Sequence, residues 1–318
     1  MKRWIAPLAA VAAFALLLYY VVGLEKPKSP TEEQPQSVSV LTFEAEKADR
    51  VEIQGPDRRF SLVKKPEEGF TWWLEPEHLP GNGSRVESLL LVLADLKATP
   101  LEAPPPAETV GLERPTWRVD VYRGQGRLAR LEVGDRVPVT RLGEEGSYYA
   151  RANGQAPVFT VSEGLLEQVR GDLASWRERF LSDVPTPKVV RVEVVAADFR
   201  LAARREGEQW KRLEPGAGQP EADKVRDLVR KVAFLEAEEF VTDAPTPKQL
   251  ASWGLDRPWL RAVVATDDEP PLVREVLVGG KVPDQKRYYA RLADRPWIYQ
   301  VDLQAAEDLL KAAKELGS

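Results

Sequence analysis

The chain has 318 residues, 45 Lys+Arg against 50 Asp+Glu for a net charge of −5, one histidine (His78), no cysteine, and methionine only at position 1. Those counts exclude thiolate nucleophiles, disulfides, iron–sulfur clusters and cysteine-based zinc sites, and would route any Ser-His-Asp relay through His78. The slightly acidic balance argues against a nucleic-acid partner, and nothing in the composition asks for a cofactor.

The first segment, Trp4 to Leu24 (WIAPLAAVAAFALLLYYVVGL), runs 21 residues without a charge. As a helix it would be about 31 Å long, close to the roughly 30 Å apolar core of a bilayer. Lys2 and Arg3 ahead of it favour a cytoplasmic N-terminus, and Tyr19 and Tyr20 suit the far interface. A cleavable signal peptide would have a shorter apolar stretch and a small-x-small cleavage site, whereas this segment ends Tyr-Tyr-Val-Val-Gly. The expectation is an uncleaved single-pass anchor within residues 1–24, with the membrane as its partner. Residues 25–37 (EKPKSPTEEQPQS) are polar and proline-rich, an extended tether of up to about 40 Å. A soluble body, residues 38–318, would then hang from the outer face of the membrane.

The body repeats itself. At an offset of 139, Val51, Ile53, Phe60 and Leu62 fall on Val190, Val192, Phe199 and Leu201, and Leu74-Glu75-Pro76 falls on Leu213-Glu214-Pro215. Val86, Leu89, Leu90, Leu93 and Leu96 match Val225, Leu228, Val229, Val232 and Leu235. Gly111-Leu112-x-Arg114-Pro115 recurs as Gly254-Leu255-x-Arg257-Pro258, Leu131-x-Val133-Gly134 as Val276-x-Val278-Gly279, and Tyr148-Tyr149-Ala150-Arg151 as Tyr288-Tyr289-Ala290-Arg291. The expected units are repeat one with its linker helix, 38–180, and repeat two, 181–318.

Within each copy the pattern predicts strands at Val51–Ile53, Phe60–Val63 and Phe70–Leu74, then a helix with apolar positions 86, 89, 90, 93 and 96 and a Ser84/Glu87 capping box. Proline-rich crossings, Thr99–Val110 and Val241–Leu250, lead to four strands, Trp117–Tyr122, Leu128–Val133, Ser147–Arg151 and Val158–Val161 in copy one. Gly124-Gln125-Gly126 and Asn153-Gly154 supply hairpin turns. A helical stretch, Glu163–Phe180, links the copies, and Leu303–Leu316 closes the chain. Hairpin-ordered strands with segregated helices imply an α+β fold: two tandem antiparallel-sheet-plus-helix modules after a transmembrane helix.

The N-terminal anchor, Gly-Leu-x-x-Pro before a strand, Leu-x-Val-Gly, Tyr-Tyr-Ala-Arg and the linker Asp172-Leu173-x-x-Trp176-Arg177 together resemble the domain-of-unknown-function 4340 family. The resemblance covers essentially the whole body. It implies a bacterial envelope protein associated with ABC-transporter components of the gliding-motility type. The body would then be periplasmic, anchored in the inner membrane, and without catalytic residues.

Several constellations have both a functional and a structural reading. Tyr149 and Arg151, with their twins Tyr289 and Arg291, could form an aromatic-plus-guanidinium surface for a glycan or lipid headgroup in a cleft between the repeats. Core packing and a cation–π or ion pair is the plainer account, because a duplicated fold keeps its structural residues. Trp72 and Trp73 must face opposite sides of a strand, which hints at an interface between the copies or with a partner. Gly279-Gly280-Lys281 lacks the upstream glycine and following Ser/Thr of a phosphate loop and reads as a turn. His78 and the acidic clusters at 144–145 and 267–269 read as solvated loop residues.

Overall fold

The computed structural model describes residues 37–67, 70–138, 146–182 and 184–317. The expected anchor and all of the tether but Ser37 lie outside the described residues, among which no helix is long and apolar enough to cross a membrane.

Copy one contains β1 (Val38–Ser39), β2 (Arg50–Gln54), β3 (Arg59–Glu67), β4 (Phe70–Glu75), β5 (Leu79–Gly81), α1 (Gly83–Ala94) and β6 (Lys97–Ala98). It continues with β7 (Trp117–Arg123), β8 (Gly126–Arg136), β9 (Ser147–Ala152), β10 (Gln155–Ser162) and α2 (Glu163–Val169). Copy two contains β11 (Val189–Ala196), β12 (Phe199–Glu206), β13 (Gln209–Glu214), α3 (Ala222–Ala233) and β14 (Ala237–Thr242). After α4 (Pro247–Ser252) come β15 (Leu260–Thr266), β16 (Val273–Lys281), β17 (Arg287–Leu292), β18 (Ile298–Asp302) and α5 (Leu303–Gly317). The architecture is α+β, with antiparallel pairing throughout the named ladders.

The two large sheets each have eight strands. One runs β10-β9-β8-β7-β2-β3-β4-β5, and the other runs β14-β18-β17-β16-β15-β11-β12-β13. Seven strands correspond in the same spatial order; β5 is added at one end of the first sheet and β14 at the opposite end of the second. Even the irregularities repeat. The β8–β9 ladder slips between Val133 and Arg136, and the β16–β17 ladder slips between Val278 and Lys281.

Strand register corrects part of the sequence alignment. Ile53 lies opposite Val119 and Phe60, whereas the matching positions around Ala262 are occupied by Val194 and Leu201. The counterparts of Val51, Ile53, Phe60 and Leu62 are therefore Val192, Val194, Leu201 and Ala203, an offset of 141. Sidedness in a strand has period two, so a slip of two residues leaves the inward-facing pattern unchanged.

The segment between the copies is not one helix. α2 ends at Val169, Gly171 adopts φ +135°, and a short 3-10 turn at Leu173–Trp176 follows. From Trp176 the chain runs as a strand shared by both sheets. Asn82 N–H donates to Trp176 O (2.8 Å) and Glu178 N–H to Pro80 O (2.8 Å), toward β5. Ala237 N–H donates to Arg179 O (2.8 Å) and Leu181 N–H to Leu235 O (3.0 Å), toward β14. Even-numbered residues serve one sheet and odd-numbered residues the other, as alternating peptide groups in an extended strand must. The two sheets and the linker thus form one continuous hydrogen-bonded ladder.

Helices cover the apolar face through Val86, Leu89, Leu90 and Leu93 of α1, Val225, Leu228, Val229 and Val232 of α3, and Ala306, Leu309, Ala313 and Leu316 of α5. A single buried core spans both copies. The predicted Ser84/Glu87 box does not form; Asn82 is the N-cap, its side chain accepting from Arg85 N–H (2.9 Å). The helix starts two residues earlier than a Ser84 cap would allow, and an Asn before Gly83 makes a good cap. A full capping box instead opens α4, where Thr246 and Gln249 bond reciprocally after a Thr-Pro start.

Candidate functional site

β9 points Tyr148 and Ala150 to one side, Tyr149 and Arg151 to the other. Tyr149 packs with Val110, Leu112 and Val158, beneath the proline-rich crossing. Arg151 donates through Nε to Glu132 Oε2 (2.8 Å) and through Nη2 to Leu112 O (2.9 Å), so it pins that crossing to the sheet. Its carboxylate partner is only 3 % exposed. In copy two, Tyr289 stacks on Trp253 of the equivalent crossing, ring centroids 5.2 Å apart. Arg291 lies opposite Leu277 where Arg151 lies opposite Glu132, and its Nε is buried without a hydrogen-bond partner.

On the opposite face the first tyrosine of each motif meets a helix. Tyr148 OH donates to Glu163 Oε1 (3.4 Å) and accepts from Arg170 Nη2 (2.9 Å). Tyr288 OH donates to Glu307 Oε1 (3.2 Å), and burial, reinforced by Glu307, raises its pKa. Ten strand steps separate β9 from β17 along the ladder, counting the linker, so the Tyr149/Arg151 and Tyr289/Arg291 pairs do not converge. The seam between the copies is a hydrogen-bonded strand.

Trp72 and Trp73 are both buried, at 1 % and 0 % exposed, although they face opposite sides of β4. Trp73 meets Trp297 of copy two at 6.3 Å between ring centroids, with Phe70 beside both indoles. These contacts are between the copies, and neither indole is exposed to a separate partner. His78 stacks on Trp73 (4.5 Å) and its Nδ1 donates at 3.3 Å to Glu75 Oε1, which also receives Lys65 Nζ (3.0 Å). Burial pushes the Glu75 carboxyl upward, but the bonds from Lys65 and His78 outweigh it and hold the group below its ordinary range.

The linker holds the most heavily engaged charges. Arg85 lies over the Trp176 ring (4.2 Å) and donates to Ser175 O (3.1 Å) and Arg170 O (2.8 Å). Next in sequence, Arg177 is 7 % exposed, forks onto both carboxylate oxygens of Asp243 (2.7 and 3.2 Å) and covers the Phe240 ring at 4.0 Å. Tyr299 packs edge-on against Phe240, and its burial raises the phenol pKa far above the usual value. One linker dipeptide, Trp176-Arg177, thus grips copy one with its first residue and copy two with its second. Sequence alone singled out the dipeptide but not its partners, because Asp243 lies 66 residues away and carries no local signal.

The recurring glycines answer to backbone crowding. A Cβ on Gly134 would sit 2.1 Å from Val110 O, and one on Gly279 would sit 2.3 Å from Trp253 O. Each crossing ends with the same geometry: Gly111 and Gly254 at φ +73° and +67°, then Leu112 N–H to Ala107 O and Leu255 N–H to Leu250 O, both 2.9 Å. Gly279-Gly280-Lys281 is the bulged end of β16, its Gly280 N–H donating to Trp253 O. The described acidic residues 267 and 268 are paired with Arg205 (3.4 Å) and Lys188 (2.7 Å); the pair at 144–145 lies outside the described residues. Among the described residues no three His, Cys, Asp or Glu side chains are grouped to hold a metal ion.

Fold and motifs together define a tandem-repeat α+β protein whose signature residues dock the crossings and join the copies. The chain belongs to the family described as Domain of unknown function (DUF4340), whose model matches residues 72–248 and 219–316. No curated protein and no solved structure matches it.

Proposed function

We propose that this protein is a membrane-anchored, extracytoplasmic accessory or scaffold of a bacterial envelope complex, non-catalytic and linked to an ABC transporter. The observation that carries the reading is the uncharged 21-residue segment Trp4–Leu24, followed by a proline-rich tether. It is supported by a body in which the repeated motifs are spent on docking, and by a closed, hydrogen-bonded seam suited to holding a fixed shape. Two measurements test it. A reporter active only outside the cytoplasm, fused after Ser318, is expected to be active; inactivity overturns the orientation. Mild cross-linking before detergent extraction and pull-down is expected to recover transporter subunits, and recovery of the chain alone overturns the scaffold role.

A further inference from the structure

Outside these motifs, copy two carries a cavity of about 650 Å³ between β12, β13 and α3. Its wall includes Arg205 from β12 and Arg226 and Arg230 from α3, with the nearly buried ring of Trp210 as part of the apolar base. Arg226 and Arg230 are one helical turn apart, so both project from the same face. Three guanidiniums on one concavity repel one another, and one carboxylate beside each offsets that repulsion in part. Arg205 donates to Pro187 O (3.0 Å) and at 3.4 Å to Asp267; Arg230 donates at 3.4 Å to Asp227; Arg226 pairs with Asp223. Each guanidinium has five donors, so each retains N–H groups for another acceptor.

The shared fold does not demand this cluster. Register places Lys64 and Trp72 where copy two has Arg205 and Trp210, and the helix alignment places Glu87 and Leu91 where it has Arg226 and Arg230. Copy one therefore builds the same helix-on-sheet contact with one acidic and one apolar residue on that turn; Leu91 is 63 % exposed there. Copy two also has Asp223 and Asp227 where copy one has Ser84 and Ser88, so charge of both signs is concentrated in this copy alone.

We propose that this cavity binds a small organic oxyanion, a phosphate or carboxylate carried on a sugar-like ring. Arg226 and Arg230 receive the anion and Arg205 flanks it, through the charge-assisted forked bonds that guanidinium makes to both groups. The ring lies against Trp210. Glu208 and Asp223, which also line the cavity, oppose the anion and set a limit on affinity. The site lies within copy two, so it stands or falls independently of the scaffold reading.

The test is calorimetric titration of the full chain in detergent with glucose 6-phosphate, glucuronate and glucose. At least one of the two anions is expected to bind with Kd below about 1 mM, and glucose not to bind; which anion binds identifies the group. Arg226→Gln/Arg230→Gln is expected to weaken binding at least tenfold, and Glu208→Gln to tighten it severalfold. Raising salt from 50 to 500 mM is expected to weaken it, as for any solvent-facing ion contact. Both substituted arginines have side chains more than 60 % exposed, so folding is preserved and is checked by melting temperature. Binding of neither anion, equal binding of glucose, or affinity unchanged in the double variant overturns the proposal.

Discussion

Gly134 shows how a single missing atom organises a crossing. Its substitution by Ala forces a Cβ against the Val110 carbonyl, and that carbonyl belongs to a turn already held by Arg151 and the Leu112 amide. Gly134→Ala is expected to cost about 2–4 kcal/mol. Gly124→Ala, at φ +55° with nothing within 4 Å, is expected to cost about 1 kcal/mol from the left-handed backbone alone. Urea denaturation of both variants checks the contrast; equal losses would show that crowding is not the cause. Arg177 poses the matching question for charge. Arg177→Lys loses the two-pronged bond to Asp243 and the flat contact with Phe240 while keeping the charge, and an expected loss of about 2–3 kcal/mol separates shape from charge. Tyr299 gives a pH signature. Its folded pKa lies above its unfolded value, so its contribution is intact below about pH 10 and declines as pH rises further, with a slope of up to about 1.4 kcal/mol per pH unit. Thermal melts from pH 8 to 11 are expected to show that decline, and Tyr299→Phe to reduce it; parallel curves for the two proteins would refute the assignment.

At the scale of elements, the linker strand is the part least like its sequence. Glu163–Phe180 has the length and composition of a helix, yet Gly171 interrupts it and Trp176–Leu181 is drawn into the gap between β5 and β14. Two unpaired sheet edges provide more hydrogen bonds than a lone helix end, and tertiary pairing outweighs local propensity. Hydrogen exchange reads this directly. The Glu178, Leu181 and Ala237 amides are expected to exchange as slowly as those inside β11, whereas loop-like exchange would show that the sheets are not joined. The helices and hairpins were legible because their signals are local: the apolar period of α1 and α3, and Asn153-Gly154 with φ of +53° and +74°. The exact alignment of β2 with β11 was not, since a two-residue slip preserves sidedness.

For the whole molecule, one core and one ladder predict one transition. Calorimetry of the body is expected to give equal van't Hoff and calorimetric enthalpies, and two resolved transitions would show that the copies unfold separately. A fragment of residues 38–180 leaves Trp73 and Phe70 without Trp297 and the linker strand without β14. It is expected to aggregate, as exposed strand edges do; a monodisperse fragment with native near-ultraviolet dichroism would contradict the shared seam.

Duplication, the α+β class, the hairpin turns and the family were all readable from the chain, because each rests on residues close in sequence or on motifs repeated in order. The structural meaning of Tyr-Tyr-Ala-Arg, the burial of both Trp72 and Trp73, the Arg177–Asp243 lock and the three-arginine cavity were decided only by tertiary structure. Each depends on which distant strand or helix arrives opposite a given side chain, and periodicity records a residue's face without recording what meets it. The absence of cysteine and the single histidine excluded several chemistries at the outset; the folded chain shows where its arginines gather instead.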